Sequence, residues 1–473
     1  MVRVRFAPSP TGYLHLGNVR VALLNYLFSR QKRGTFILRI EDTDRARNVD
    51  LGIIKIIEDL SWLGIAYDEG PKVGGDFGPY IQSDRTKIYQ EKLQDLIEAN
   101  KVYRCFCTEA ELKKKRESQL KSNMPPKYDR TCLRLSGDMI KQNLVIEKRF
   151  IWRLKINDDA VVEINTMARG KMYFELKNFG DFALTRSDKS FTFLMTNFVD
   201  DWLMGITHVI RGEDHLSNTA MQGALFDALA VPLPIFWHLP MLCSEEGKPL
   251  SKRDFGFSLD DLKLAGFLPQ AILNYLATIG GGFKEEVQSL DSLIQSYNFD
   301  NIHSTGSIKF DSDKLLWFNH KWIERLSSIE LLEYAKPFLE EEFPETMDLD
   351  DSRLVFLLEK IKTDLKTLLD LKDVLSFYFL EPHIDPHELE EEFGFENYNK
   401  AKKIIFNNIE NLNRIDFFLE SIRKESKEES LKMKELLGSL RYMLTGEISG
   451  LSVRDILEML EAEEVLHRLN KFR

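Results

Sequence analysis

The first forty residues switch between two hydrophobic periods. Val2 to Phe6 alternates and is β-prone, and Ala7-Pro8-Ser9-Pro10-Thr11-Gly12 can continue neither a strand nor a helix. From about Leu16 to Arg30 the apolar residues Val19, Leu23, Tyr26 and Leu27 recur at helical spacing, and Gly34 is placed to stop that helix. Thr35 to Ile40 then reads as a second buried strand. Strand, helix and strand with short links predict a βαβ unit, which builds a parallel sheet. Thr207 to Arg211 and Ile235 to Leu239 predict further buried strands around a helix from Ser217 to Ala230.

Between these halves, residues 101–189 form a mixed stretch rich in Lys, Arg and Pro, and the sheet reads as split around this insertion. From about residue 310 the pattern becomes almost purely helical, with long charged amphipathic segments. The expected layout is a split catalytic domain over 1–100 and 190–245, an inserted domain over 101–189, a loop-bearing region over 246–315 and an all-α domain over 316–473. No internal repeat is visible, and the acidic clusters Glu340 to Glu342 and Glu390 to Glu392 read as solvated faces.

A chain of 473 residues is too long for one hydrophobic core, which agrees with several domains. No window approaches the roughly 18 consecutive apolar residues of a membrane span, and MVRVRFAPSP lacks the apolar run of a secretory signal. A cytoplasmic protein with no membrane partner is expected. The net charge of −11 weighs mildly against nucleic-acid binding, although 64 basic residues can still line one face. Of the four cysteines, Cys105 and Cys107 form a close pair, which suggests metal ligation or free thiols rather than a disulfide framework.

Two stretches carry chemistry. In Pro8-Ser9-Pro10-Thr11-Gly12-Tyr13-Leu14-His15-Leu16-Gly17-Asn18, Gly12 permits an unusual turn, and Gly17 removes a side chain where a bulky group could pack close. His15 falls at the loop-to-helix junction, where backbone N–H groups and the helix dipole favour an anion such as phosphate. A histidine at a helix start is more often structural. The second stretch is Lys248-Pro249-Leu250-Ser251-Lys252-Arg253, preceded by Gly247 in a turn. A lysine-bearing loop suits a transferring phosphoryl group, yet a solvated basic turn is an equal reading of it alone.

Taken together, a His-x-Gly-x at the end of the first strand and a Ser-Lys loop after the last strand of a split sheet resemble the class I aminoacyl-tRNA synthetases. The wording is similar to that of the bacterial glutamyl enzymes. It includes Arg5-Phe6-Ala7-Pro8-Ser9-Pro10-Thr11-Gly12, Leu38-Arg39-Ile40-Glu41-Asp42-Thr43-Asp44, Val199-Asp200-Asp201, Val209-Ile210-Arg211-Gly212-Glu213-Asp214-His215 and Leu440-Arg441-Tyr442-Met443-Leu444-Thr445-Gly446. The resemblance implies a split Rossmann-like α/β catalytic domain with an inserted acceptor-binding domain and a helical anticodon-binding cage. It implies a ligase that activates L-glutamate with ATP and esterifies it onto tRNA-Glu, with tRNA-Gln left open, and that works as a monomer.

By the same resemblance, Arg5, Ala7, Ser9, Glu41, Phe193, Asn197 and Arg211 hold glutamate, with Glu41 accepting its ammonium. His15, Gly17, Asn18, Glu213, Leu242, Ser251 and Lys252 meet ATP and its Mg²⁺, and His15 and Lys252 stabilise the charge of phosphoryl transfer. Pro249 and Phe193 depart from the family pattern, which usually has Lys and Tyr there. Cys105, Cys107, Tyr128 and Cys132 resemble a structural zinc site found in some members; reduced thiols in a packed loop are the alternative. Trp317, Lys321, Trp322, Arg441 and Arg454 are candidates for tRNA contacts, although helix cores also consume tryptophans. A tRNA-queuosine glutamyl-transferring paralogue and a catalytically idle tRNA-binding regulator are the rival readings. The long helical half argues against the paralogue, and retention of His15, Glu41, Arg211 and Lys252 argues against the regulator.

Overall fold

Strand β1 (Arg3–Phe6) runs parallel to β2 (Thr35–Leu38), and helix α1 (Leu16–Gln31) connects them. The computed structural model describes residues 1–44, 48–49, 51–244, 247–248, 258–281, 285–301 and 306–473. His15 caps α1, its Nδ1 accepting from the Asn18 N–H at 3.3 Å. At the other end the expected stop at Gly34 has a different cause. Arg33 takes the left-handed conformation (φ 50°), while a Cβ on Gly34 would lie 2.4 Å from the Val2 carbonyl oxygen. Gly34 therefore serves a close approach of two backbones rather than a positive φ.

In the insertion, β3 (Val102–Cys105) pairs antiparallel with β4 (Ile151–Leu154), and β5 (Val161–Thr166) pairs antiparallel with β6 (Gly170–Glu175). After it, β7 (His208–Gly212) runs parallel to β8 (Ile235–Leu239). The Thr207 N–H donates to the Arg3 carbonyl at 3.0 Å, which sets β7 beside β1. Asn25 of α1 donates to the Ile210 carbonyl at 3.0 Å, so one buried amide fixes the helix to that sheet. The carboxyl ends of β1, β2 and β7 all open on one side, where such sheets bind ligands. The insertion is hydrogen-bonded to this sheet, because Thr166 pairs with Phe236 and Met167 N–H donates to the Phe236 carbonyl. Val102, Leu154 and Val162 accordingly share one apolar cluster with Phe198 and Phe236. Two short strands, β9 (Leu242–Cys243) and β10 (Ile308–Lys309), also pair in parallel.

The chain divides into two units, residues 1–261 with 273–311 and residues 262–272 with 312–473. The second is built of helices such as Ser312–Arg325, Ser328–Glu342, Phe395–Asn407 and Met433–Thr445. Their ends follow local chemistry: Ser327 and Glu330 form a reciprocal capping box, and Gly446 (φ 76°) closes the helix before it. Trp322 is buried in this unit, so it serves the core rather than offering a surface to RNA. Arg441 is likewise committed to the carbonyls of Leu451 and Ile448, and Arg454 pairs with Asp416. Lys321 pairs with Glu324 at 2.5 Å, whereas Trp317 is partly exposed under the Lys314 ammonium. Among the described residues no helix is long and apolar enough to cross a membrane.

Candidate active site

A cleft of about 640 Å³ opens at the carboxyl ends of the parallel strands. Its lining brings together Arg5, Ala7, Ser9, His15, Gly17 and Asn18 with Glu41, Phe193, Asn197, Arg211 and Leu242, from positions up to 237 residues apart in the chain. Gly12, with φ 121°, makes the turn expected of it, and Gly17 has a steric reason. A Cβ there would meet the His15 ring at 3.0 Å, so glycine lets the imidazole fold back over the first turn of α1. Because Nδ1 accepts from Asn18, the neutral ring carries its proton on Nε2.

Glu213 lies at the edge, beside Arg169 at 3.5 Å, and accepts from the Met241 N–H at 3.4 Å; it is not among the residues lining the cleft. Ser251 and Lys252, with Pro249, fall outside the described residues. The chain on either side is described. Ser244 N–H donates to the Lys248 carbonyl at 2.7 Å, two residues from Leu242 of the cleft wall. Ser258 forms an antiparallel bridge with His15, and Leu259 N–H donates to the Leu14 carbonyl at 2.9 Å.

Beneath the cleft lies a buried lattice of charge. Asp201 accepts from Arg5 Nε at 3.0 Å and from Arg39 Nη1 at 2.7 Å. Glu41 accepts from Arg39 Nη2 at 3.1 Å and Asn197 Nδ2 at 2.7 Å. Asp200, on the same helix α2 (Phe193–Leu203), accepts from Arg85 Nε at 2.6 Å, Gln82 at 2.8 Å and the Tyr89 hydroxyl at 2.9 Å. Burial pushes the Glu41 and Asp200 carboxyls up, against the pull of their guanidinium partners. Burial opposes ionisation of Asp201 too, but Arg5 and Arg39 together hold it below the usual carboxylate range.

Arg211 is the exception. It is 5% exposed, it stacks over Phe236 at 5.4 Å, and its Nη2 donates to Thr219 Oγ1 at 2.6 Å and Gln222 Oε1 at 2.7 Å. Its Nε and Nη1 are buried and have no hydrogen-bond partner. Burial, and then the Arg5 charge, push its pKa down to about 9, still a cation near neutral pH. A buried guanidinium with two orphaned donors beside a cleft is costly unless an anion arrives.

Thr219, on helix α3 (Leu216–Ala228), also bonds His238 Nε2 at 2.7 Å. Burial pushes His238 down to about 3, with Arg211 adding to the effect. The sign follows: below pH 6.5 the unfolded chain binds a proton that the folded one refuses, so stability is lost as pH falls from about 6.5 towards 3. Between pH 7 and 5 this one group removes roughly 2 kcal/mol. Thermal melts at the two pH values should show the drop, and His238→Gln should shrink it.

The predicted metal ligands form a separate cluster. The sulfurs of Cys105, Cys107 and Cys132 lie within 4.8 Å of one another, with Cys107 and Cys132 at 3.6 Å. The Tyr128 hydroxyl is 3.2 Å from Cys105 Sγ and 3.5 Å from Cys107 Sγ. A tetrahedron with Zn–S bonds near 2.3 Å has S···S edges of about 3.8 Å, so this spacing suits zinc. Burial pushes the Cys107 thiol up to about 12, a penalty that a bound cation would reverse. Arg134, two residues after the last cysteine, donates to the Asp129 carbonyl at 3.0 Å.

The description "tRNA synthetases class I (E and Q), catalytic domain" matches residues 1–317, and an anticodon binding domain matches residues 330–473. The chain belongs to the class I tRNA synthetases of the glutamate and glutamine type. A glutamate–tRNA ligase from Sulfurihydrogenibium sp. is 39% identical, covering 100% of this chain and 99% of its own length. Glutamate–tRNA ligase 1 of Fervidobacterium nodosum is 37% identical, with 100% of this chain and 99% of its own length covered. A crystal structure of the glutamate tRNA ligase from Elizabethkingia meningosepticum in complex with its amino acid superposes with a TM-score of 0.88 at 31% identity, over 99% of this chain and 98% of that one. This synthetase thus has the expected class I catalytic domain and a separate helical anticodon-binding domain.

Arg39, Asp200, Asp201, Thr219, Gln222 and His238 support the site without being among the residues expected from the sequence. A signal existed for three of them. Arg39 stands between Leu38 and Ile40, and Asp200-Asp201 stands inside Phe198-Val199…Trp202. Charges set in apolar runs mark buried pairs.

Proposed function

We propose that this chain is an active glutamate–tRNA ligase, which joins L-glutamate to ATP as glutamyl-adenylate and then esterifies it onto the terminal adenosine of tRNA-Glu. The observation that carries this reading is Arg211, a buried cation whose Nε and Nη1 await an acceptor in the cleft. The other guanidiniums of the lattice, Arg5, Arg39 and Arg85, already meet Asp201, Glu41 and Asp200. An acidic amino acid completes the set, with its carboxylate on Arg211 and its ammonium towards Glu41. A carboxamide in the same place would leave that positive charge uncompensated, which favours glutamate over glutamine.

In this reading Arg5, Ala7, Ser9, Glu41, Phe193, Asn197 and Arg211 hold glutamate so that its α-carboxylate faces the α-phosphate of ATP. His15 donates from Nε2 to a phosphate oxygen as pyrophosphate leaves, with Gly17, Asn18, Leu242 and the edge residue Glu213 around the nucleotide. The parts given to Ser251 and Lys252 rest on the resemblance alone. The gain comes from alignment and from donors aimed where charge develops. The 2′-hydroxyl of the terminal adenosine then attacks the adenylate carbonyl, releasing AMP. Among the described residues only the cysteine cluster groups three metal-ligating side chains, so Mg²⁺ would come with ATP, where it screens the triphosphate.

Cys105, Cys107, Tyr128 and Cys132 would hold a structural zinc that braces the insertion. Elemental analysis should find about one zinc per chain. Cys107→Ser should lose it and lower the thermal midpoint; full occupancy in that variant would remove these ligands. Residues 101–189 are assigned to the acceptor end of tRNA, 246–315 to the lysine loop and stem, and 316–473 to the anticodon. Pyrophosphate exchange with and without tRNA tests the activity. Glutamate-dependent exchange is expected in the presence of tRNA-Glu, and no exchange in either condition would leave the idle-regulator reading in its place.

A further inference from the structure

Gln222 lies behind the cleft on α3, 2% exposed, and does not line it. Its Oε1 accepts from Arg211 Nη2 at 2.7 Å, and its Nε2 donates to the Asn197 side-chain oxygen. Asn197 in turn donates to Glu41 at 2.7 Å, and Glu41 meets Arg39. One amide therefore orients the cation and, through Asn197, the carboxylate proposed for the two ends of the amino acid. It does so without charge. Among the described residues Arg211 is in no ion pair, and the two carboxylates that act on it most, Asp201 and Glu41, are already held by Arg5 and Arg39.

We infer that Gln222 is a specificity-determining positioning residue: as a neutral acceptor it fixes the Arg211 guanidinium while leaving its charge for the substrate. A carboxylate in its place would orient Arg211 equally well and neutralise it in advance. The positive excess that selects an anionic side chain over a carboxamide would then be gone. The opposite substitution, by a side chain of similar length with no polar end, would loosen Arg211 yet keep the excess. Charge and orientation thus separate in two variants at one buried position.

This inference rests on the proposed glutamate activation, and wild-type enzyme tests that first: absence of glutamate-dependent pyrophosphate exchange with tRNA-Glu present would remove the parent reading. With wild type active, Gln222→Glu should raise the KM for glutamate at least about tenfold, with a smaller change in kcat and an unchanged KM for ATP. Its preference for glutamate over glutamine, as a ratio of kcat/KM, should fall by about tenfold or more. Gln222→Met should also raise the KM for glutamate but keep that preference within about threefold of wild type. Wild-type KM and preference in Gln222→Glu would overturn the inference. So would a loss of preference of about tenfold or more relative to wild type in Gln222→Met, an outcome that stands even if the glutamate variant fails to fold.

Discussion

Arg211→Gln should lower kcat/KM for glutamate by roughly 30- to 4000-fold while leaving the KM for ATP nearly unchanged. The range follows from removing one member of a buried, charge-assisted contact, about 2–5 kcal/mol, at about 1.4 kcal/mol per tenfold. The loss falls on glutamate because Arg211 touches no nucleotide-side element: its hydrogen-bond partners are Thr219, Gln222 and the His215 carbonyl, and its ring neighbour is Phe236. The folded state should not suffer, since the guanidinium contributes buried, unsatisfied donors in the absence of substrate. Glutamate-dependent exchange with saturating ATP and tRNA reads the effect. A variant with wild-type kcat/KM would detach Arg211 from the substrate.

The second large effect is on stability. Asp201→Ala should destabilise the catalytic unit by about 3–5 kcal/mol, a large part of the roughly 5–15 kcal/mol that holds an ordinary domain together. Arg5 and Arg39, both essentially inaccessible to water, share this one carboxylate, so its removal leaves Arg5 a buried cation with no paired carboxylate beside Arg39, which keeps Glu41. The pH sign is opposite to a raised carboxyl. Asp201 is held down in the fold, so its contribution is complete above the ordinary carboxylate pKa and is lost as pH falls below it. Urea titration of wild type and variant at neutral pH measures the difference. A shift under about 1 kcal/mol would mean that the two guanidiniums find other partners.

These two residues also show what the sequence could and could not disclose. The βαβ start was legible because strand alternation and helical period meet at a loop no regular structure can cross, and the motif there fixed His15 at a helix start. Arg211 was legible through its family wording, although nothing in the sequence revealed that two of its donors are orphaned. Satisfaction of a buried group depends on partners distant in the chain, and Gln222, Thr219 and His238 are ordinary residues in ordinary helical and strand patterns. The insertion was opaque for another reason. Its hairpin of β5 and β6 exposes alternate residues, and its polar composition masks a strand pairing with β8 that only the folded sheet creates. In the helical half periodicity found the helices, while the fate of Trp322 and Arg441 was decided by which face each helix buried.

Transfer of labelled glutamate to purified tRNA-Glu is the most direct measure of what the cleft is for. Acid-precipitable label should appear only when ATP, glutamate and tRNA are all present, and periodate oxidation of the terminal ribose beforehand should abolish it. Enzyme that binds ATP and glutamate yet forms no ester on intact tRNA-Glu would contradict the account at its centre.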